Sequence, residues 1–175
     1  ITVKNSFKSN KIYSELRLGS FYETILNRGY PRTPYFENAF DDYYRTYRNN
    51  ISIKLNKNKE NNSLSFLSSF NHYKRRKNTY FNDLTTLNKT LTETSGDQDT
   101  IVFIKFDNRI SFQSNFKNIF NYKLGLNIST ETSEGERISG KEKNISEFAV
   151  FSFLEYKRNY LHFRPAIRFA YNTSY

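Results

Sequence analysis

Between Ile110 and Ile128 the chain sorts its side chains into two sets and keeps them in step. The even positions are Ile110, Phe112, Ser114, Phe116, Asn118, Phe120, Tyr122, Leu124, Leu126 and Ile128. The odd ones are Ser111, Gln113, Asn115, Lys117, Ile119, Asn121, Lys123, Gly125 and Asn127. Successive side chains of a strand point to opposite faces, so the pattern predicts one apolar and one polar face. Asn118 and Ile119 exchange character midway, where a turn would join two such strands back to back.

The same period recurs along the chain and predicts seven substantial strands, about 11–22, 43–56, 62–74, 101–115, 118–130, 143–157 and 159–172. In the first, Ile12, Leu16, Leu18 and Tyr22 oppose Glu15, Arg17 and Glu23. In the second, Ile51, Ile53 and Leu55 oppose Arg48, Asn50, Ser52 and Lys54; in the third, Leu64, Phe66, Phe70 and His72 oppose Ser63, Ser65, Ser69 and Asn71. Phe148, Val150, Leu154 and Tyr156 oppose Glu147 and Glu155, although Phe151 and Phe153 blur the division. Leu161, Phe163, Ile167, Phe169 and Tyr171 alternate with His162, Arg164 and Arg168. Residues 1–4 read as the stub of an eighth strand. Pro165 falls on the apolar face and removes a ladder hydrogen bond, which predicts a bulge or an unpaired edge.

The connections alternate strictly: short at 5–10, 57–61, 116–117 and 157–159, long at 23–42, 75–100 and 131–142. Greek-key sandwiches mix lengths less regularly. An up-and-down barrel of the bacterial outer membrane has tight turns at one rim and long loops at the other. About ten residues of alternation per strand also suits the height of such a wall. Tyr43, Tyr44, Tyr47, Tyr73, Tyr122, Tyr156, Tyr160 and Tyr171 lie near strand ends, where interfacial girdles form. Within the second long loop, Leu84, Leu87 and Leu91 behind Asn82 or Asp83 allow at most a short helix.

Composition supports strands. The 175 residues suit one domain; alanine occurs four times and asparagine 22, poor material for long helices and good material for polar turns. Hydrophobic content is only 37%, yet 17 Phe and 14 Tyr argue against disorder. No apolar run is long enough for a transmembrane helix. The chain begins Ile-Thr-Val, without Met or a signal peptide, which suggests an excerpt from something longer.

A net charge of +10 reads either as a solvated basic surface or as the mark of one of three partners: nucleic acid, anionic lipid head groups or an anionic solute. Single-stranded nucleic acid needs cations and stacking aromatics on one face. Here Phe163, Ile167 and Phe169 have the opposite parity to Arg164 and Arg168, which suits a lipid-facing wall with a basic lumen.

No catalytic constellation is visible. With no cysteine, there is no disulfide framework and no thiolate metal site. His72 and His162 lie on different strands and lack the spacing of a zinc helix. Ser63–Ser69 has no base nearby and no nucleophile elbow. Ser95-Gly96-Asp97-Gln98-Asp99-Thr100 has too few ligands for a calcium loop, and Glu131, Glu134 and Glu136 suit solvation. The sequons at Asn50, Asn61, Asn88, Asn127, Asn144 and Asn172 are what chance produces in so asparagine-rich a chain.

Four segments, RTPYFENAFDDYYRTYR (32–48), KNTYFNDLTTLNKTLTE (77–93), SGDQDT (95–100) and LHFRPAIRFAYNTSY (161–175), resemble the barrel of TonB-dependent outer-membrane receptors of the kind common in Bacteroidota. The resemblance spans most of 29–175. It implies a 22-stranded barrel closed by a plug, importing a scarce solute such as an iron chelate, cobalamin or an oligosaccharide, with energy from the TonB complex through the plug. Neither plug nor TonB box is recognisable in these residues, so the chain would be a wall segment. Against that, Tyr175 with Tyr171 and Phe169 at matching parity resembles the terminal signal of complete outer-membrane proteins, so an eight-stranded small barrel is the alternative.

The expectation is therefore an all-β, antiparallel up-and-down meander of about seven to eight strands, one segment over 1–175, forming part of a transmembrane barrel in the bacterial outer membrane. It contacts lipid and a small solute, not nucleic acid, and it is not an enzyme: no catalytic, cofactor or metal residue is assigned. Arg17, Arg48, Lys54, Asn115, Lys123, Arg164 and Arg168 are the candidate lumen-facing contacts, and their basic excess favours an anionic solute. The three long loops are candidates for first contact.

Overall fold

The computed structural model describes residues 1–94, 96–116, 119–138 and 140–174. The chain is all-β, and the described residues contain no helix. Its strands are β1 (Thr2–Lys8), β2 (Ile12–Asn27), β3 (Asn38–Lys59), β4 (Asn62–Asp83), β5 (Lys89–Leu91), β6 (Gln98–Phe116), β7 (Phe120–Gly135), β8 (Glu142–Arg158), β9 (Leu161–Phe163) and β10 (Ala166–Ser174). They form one ten-stranded antiparallel sheet in the order β1-β2-β3-β4-β6-β7-β8-β10, with β5 added to β4 and β9 to β8. Each long strand pairs with the one before and the one after it, as in a meander. The sheet is not closed: β1 and β10 are its two edges.

Register carries the two faces round the sheet, because residues directly opposite share a face. One row on the first face runs Leu55, Phe66, Ile110, Leu126, Val150, Phe169. A row on the other runs Arg17, Ser52, Ser69, Asp107, Ser129, Glu147, Asn172. The even-odd alternation of the sequence is thus continuous across seven strands.

The apolar face is uncovered. Leu124 is 49% exposed and Phe169 75%, and most other large side chains of this face stand open as well. Among the described residues the only buried hydrophobic ones are Ala39 and Ala149, and no large side chain is fully buried. Of the six buried polar residues among those described, Glu15, Thr79, Asp99, Ser111 and Ser133 lie on the polar face and Asp41 on the other. Side chains converge on the concave side of a coiled sheet and spread on its convex side, so the polar face is the inner one.

Rows also climb relative to the short turns. In the row Leu16, Ile53, Ser68, Asn108, Ile128, Phe148, Tyr171, the first residue lies near the Ser9–Lys11 turn and the last near the far end of β10. Such a stagger accompanies tilted strands in barrel walls.

Several expectations change in detail. The strands overrun their predicted ends: β3 and β4 each extend 22 residues, so the long connections shrink to 28–37, 84–97 and 136–141. No helix forms over Leu84–Leu91. Lys89–Leu91 instead pairs with Tyr80–Asn82, and Leu87 takes a positive φ of 61° that breaks any helical run. Tyr44 and Tyr73 do not belong to an outward girdle. They share the inner face, where Arg75 lies 4.6 Å above the Tyr44 ring and Arg48 lies 5.5 Å from that of Tyr73. Parity separates Tyr43 from Tyr44, so adjacent tyrosines cannot share a face.

Pro165 falls in the break between β9 and β10 at the edge of the sheet and makes no bulge. The pairing Tyr156–Phe163 before it and Phe153–Ala166 after it keep one register, and the Leu154 amide donates to the Pro165 carbonyl at 3.0 Å. Only the return bond, which needs a proline N–H, is missing. Lys117, Asn118, Ser95 and Tyr175, on which the predicted turn, acidic run and terminal aromatic partly rest, lie outside the described residues.

Candidate functional site

The seven candidate contacts, Arg17, Arg48, Lys54, Asn115, Lys123, Arg164 and Arg168, all fall on the inner face. They are not gathered at one point. Arg164 and Asn115 lie on one row at the short-turn end, separated by Asn121 and Glu155; Arg48 stands toward the long loops; the others lie between.

Three of the cations are neutralised by carboxylates on the same face. At the short-turn end Glu155, largely covered, accepts from Lys157 at 3.0 Å, His162 at 2.9 Å and Arg164 Nη2 at 2.6 Å. Asn121 reaches its other oxygen at 3.4 Å and itself accepts from Gln113. The buried Oδ1 of Asn115, opposite Asn121, has no hydrogen-bond partner among the described residues. Glu15, also buried, takes Lys4 at 3.2 Å, Arg17 and the Tyr13 hydroxyl. Arg168 pairs with Glu147.

Lys54 and Lys123 have no carboxylate within ion-pair distance among the described residues. The sequence places Glu15, Glu147 and Glu155 on the polar face, but only the register shows which cations they neutralise. The open basic charge of the inner wall therefore rests on Lys54, Lys123, Arg48 and Arg109 more than on Arg164 and Arg168.

Glycine shapes this face. A Cβ on Gly125 would come within 2.1 Å of the Phe151 ring, which lies across it, and Arg109 sits 5.8 Å from that ring's centre. Phe151, apolar on a polar face, is thus a lid over a glycine on the neighbouring strand.

At the other end the three long connections converge. Arg32 from the first, Thr94 and Asp97 from the second and Lys77, Thr79, Phe40 and Asp42 from β3 and β4 line a cavity of about 390 Å³. Next to it, Tyr44, Arg75, Lys77, Asp99, Ile101 and Arg137 enclose about 90 Å³. Lys77 lines both. Its Nζ lies 3.4 Å from Asp42, which also accepts from the Thr79 hydroxyl at 2.5 Å. Arg137, from the third connection, binds the buried Asp99 at 2.9 Å, and the second oxygen of Asp99 has no hydrogen-bond partner among the described residues. Carboxylates and hydroxyls beside Lys77, Arg75 and Arg137 suit hydrogen bonding to a polar solute.

Arg75, Lys77 and Arg137 were not singled out from sequence, while Tyr44 was assigned to the girdle and Asp99 to the acidic run. The available signal was their shared parity next to the long connections, which the mixed polar character of both faces here obscures. The acidic run is accounted for structurally: the Asp97 carbonyl accepts from the Thr79 amide at 3.1 Å, and Asp99 holds Arg137. The described residues hold no group of three or more His, Cys, Asp or Glu able to bind a metal.

The connections themselves are tied down. Asp41, 3% exposed, accepts from Lys89 at 2.9 Å and from the Gly29 amide at 3.3 Å, linking the first connection to β5. Asp83 caps the turn after β4 by accepting from the amides of Thr85 at 2.8 Å and Thr86 at 3.0 Å, which holds its carboxyl below the usual range.

Compared with known proteins, the chain matches no family model, no curated protein and no solved structure.

Proposed function

We propose that the chain is a wall segment of an outer-membrane β-barrel, of the type of TonB-dependent receptors, and that it takes part in binding and importing a scarce polar solute. The observation that carries this reading is the uncovered apolar face. The surface measures 13056 Å². A water-soluble monomer of this mass exposes about 9,000 Å². If half the excess is apolar, leaving it in water forgoes on the order of 50 kcal/mol. That is several times the net stability of an ordinary domain. Hydrocarbon on the convex side removes the deficit.

The geometry agrees in scale. The apolar band covers about nine residues of β7 (Phe120–Ile128) and of β8 (Phe148–Tyr156), roughly 30 Å along the strand and about 21 Å in height at the usual tilt, and narrows to Ile51–Leu55 on β3. The polar inner face then meets water or a plug, and the long connections stand on one rim. Open edges are not tolerated in hydrocarbon, so β1 and β10 pair with further strands of the same barrel. The alternative of an eight-stranded barrel requires those two edges to join. Solute capture begins at the Lys77 cavities and continues past Arg48, Lys54 and Lys123. An iron chelate, cobalamin or oligosaccharide is what the family resemblance suggests, and the unpaired lysines favour an anionic one.

The test is refolding into detergent micelles, followed by gel mobility unheated and boiled. Strand signal that depends on detergent, without a mobility shift on boiling, supports an open wall segment. A heat-dependent shift supports the closed eight-stranded barrel. A chain that stays monomeric without detergent overturns the membrane reading.

A further inference from the structure

Above the apolar band the outward face turns cationic in four successive rows between β3 and β4. Ile51 lies opposite Phe70, then Asn49 opposite His72, Tyr47 opposite Lys74, and Arg45 opposite Arg76. Arg45 and Arg76 are like charges in directly facing positions, an arrangement that is destabilising in itself. Their flanking partners on β2 and β6 are Thr24 and Thr100, which supply no charge. None of Arg45, His72, Lys74 and Arg76 forms an ion pair among the described residues. Carboxylates do share the face, but Asp41 is taken by Lys89, and Glu134 and Glu142 lie beyond β6.

Arg45, Lys74 and Arg76, with His72, Tyr47 and Asn49, line a depression of about 340 Å³. Tyr22 and Tyr47 stack beside it with centroids 4.8 Å apart.

Resting on the barrel reading above, we propose that this depression binds the phosphate of a membrane lipid head group, bridged by Arg45 and Arg76 and supported by Lys74. Same-face rows are about 6.7 Å apart along a strand, hence roughly 5 Å in height at a tilt of about 45°. The Tyr47–Lys74 and Arg45–Arg76 rows therefore stand about 10 and 15 Å above the last apolar row. Long basic side chains reach down from there to the level where phosphates lie. Guanidinium groups bind phosphate through paired hydrogen bonds, and a phosphate between Arg45 and Arg76 removes their mutual repulsion. The paired tyrosines occupy the interfacial position that aromatic rings favour. A free anion would gain the same contacts but not the apolar wall directly below, over which acyl chains lie.

The experiment uses the full chain in zwitterionic micelles with fluorescent phosphatidic acid as probe. Wild type should bind it more tightly than labelled phosphatidylcholine, and Arg45→Gln/Arg76→Gln should weaken binding about tenfold. Lys57→Gln/Lys59→Gln removes the same charge from the outward face at the opposite rim and should leave binding unchanged. Arg45→Lys/Arg76→Lys keeps the charge, guards against a folding defect, and should fall between. Equal loss in both glutamine variants, or no preference for phosphatidic acid, overturns the site while leaving the barrel reading intact. Displacement of the probe by millimolar inorganic phosphate overturns the lipid assignment. A chain monomeric without detergent overturns the barrel reading and the proposal with it.

Discussion

Leu126 and Asn127 are neighbours in β7, yet their surroundings share almost nothing. Leu126 belongs to a row of leucine, isoleucine, valine and phenylalanine side chains that stand side by side with no protein above them. Asn127 lies among Arg109, Ala149 and Gly125, on a face where Phe151 covers one strand's glycine and carboxylates bind cations two and three at a time. The inner face is stabilised by what its own side chains do to each other. The outward face is stabilised by its solvent, and only if that solvent is hydrocarbon.

The largest effect should come from charging the outward face at mid-height. Leu126→Arg should cost about 2–4 kcal/mol in urea titrations of the chain refolded into bilayers. Asn127→Arg, one residue along, should cost less than about 1 kcal/mol. Equal costs would break the contrast between the faces.

Packing on the inner face should come next. Gly125→Val forces the Phe151 ring aside and should cost about 1–3 kcal/mol. In the double variant with Phe151→Ala much of that cost should disappear, a non-additivity that a double-mutant cycle measures.

At the long-loop end, Asp41→Ala leaves Lys89 and the Gly29 amide without their shared acceptor and should cost about 1–3 kcal/mol. Limited proteolysis should then cut the 28–37 connection faster while the band stays protected. The smallest effect concerns Asp83. Its folded pKa is depressed, so its contribution is fully present above the unfolded value and is lost as pH falls through the folded one. Protection of the Thr85 and Thr86 amides against hydrogen exchange should fall on acidification below about pH 4, and Asp83→Asn should flatten that dependence.

The two faces were legible where one is apolar and the other polar. Ile51, Ile53 and Leu55 against Ser52 and Lys54 needed nothing beyond parity, and the seven candidate contacts share one face. Parity fades where both faces are polar. Asp41-Asp42 and Arg75-Arg76-Lys77 put charge on both sides, so 38–42 of β3 and 75–83 of β4 read as loop although their ladders are unbroken. Tyr44 and Tyr73 could have been excluded from the girdle by counting alone. Glu155 as the partner of Arg164, and Arg45 facing Arg76, could not have been found that way, since they depend on a register that no single strand specifies. Leu84, Leu87 and Leu91 show the reverse failure: spacing suggestive of a helix in a connection too short to propagate one.

The continuous pairing of β3 with β4 from Lys59–Asn62 to Asn38–Asp83 matters to the proposed barrel. On the outward face of β3 the apolar run is Ile51, Ile53 and Leu55, so the rest of the hairpin would rise beyond the hydrocarbon as a stiff parapet rather than a loose fringe. A solute reaching such a rim would meet an edge whose shape is fixed before contact, and recognition there would be a matter of fit.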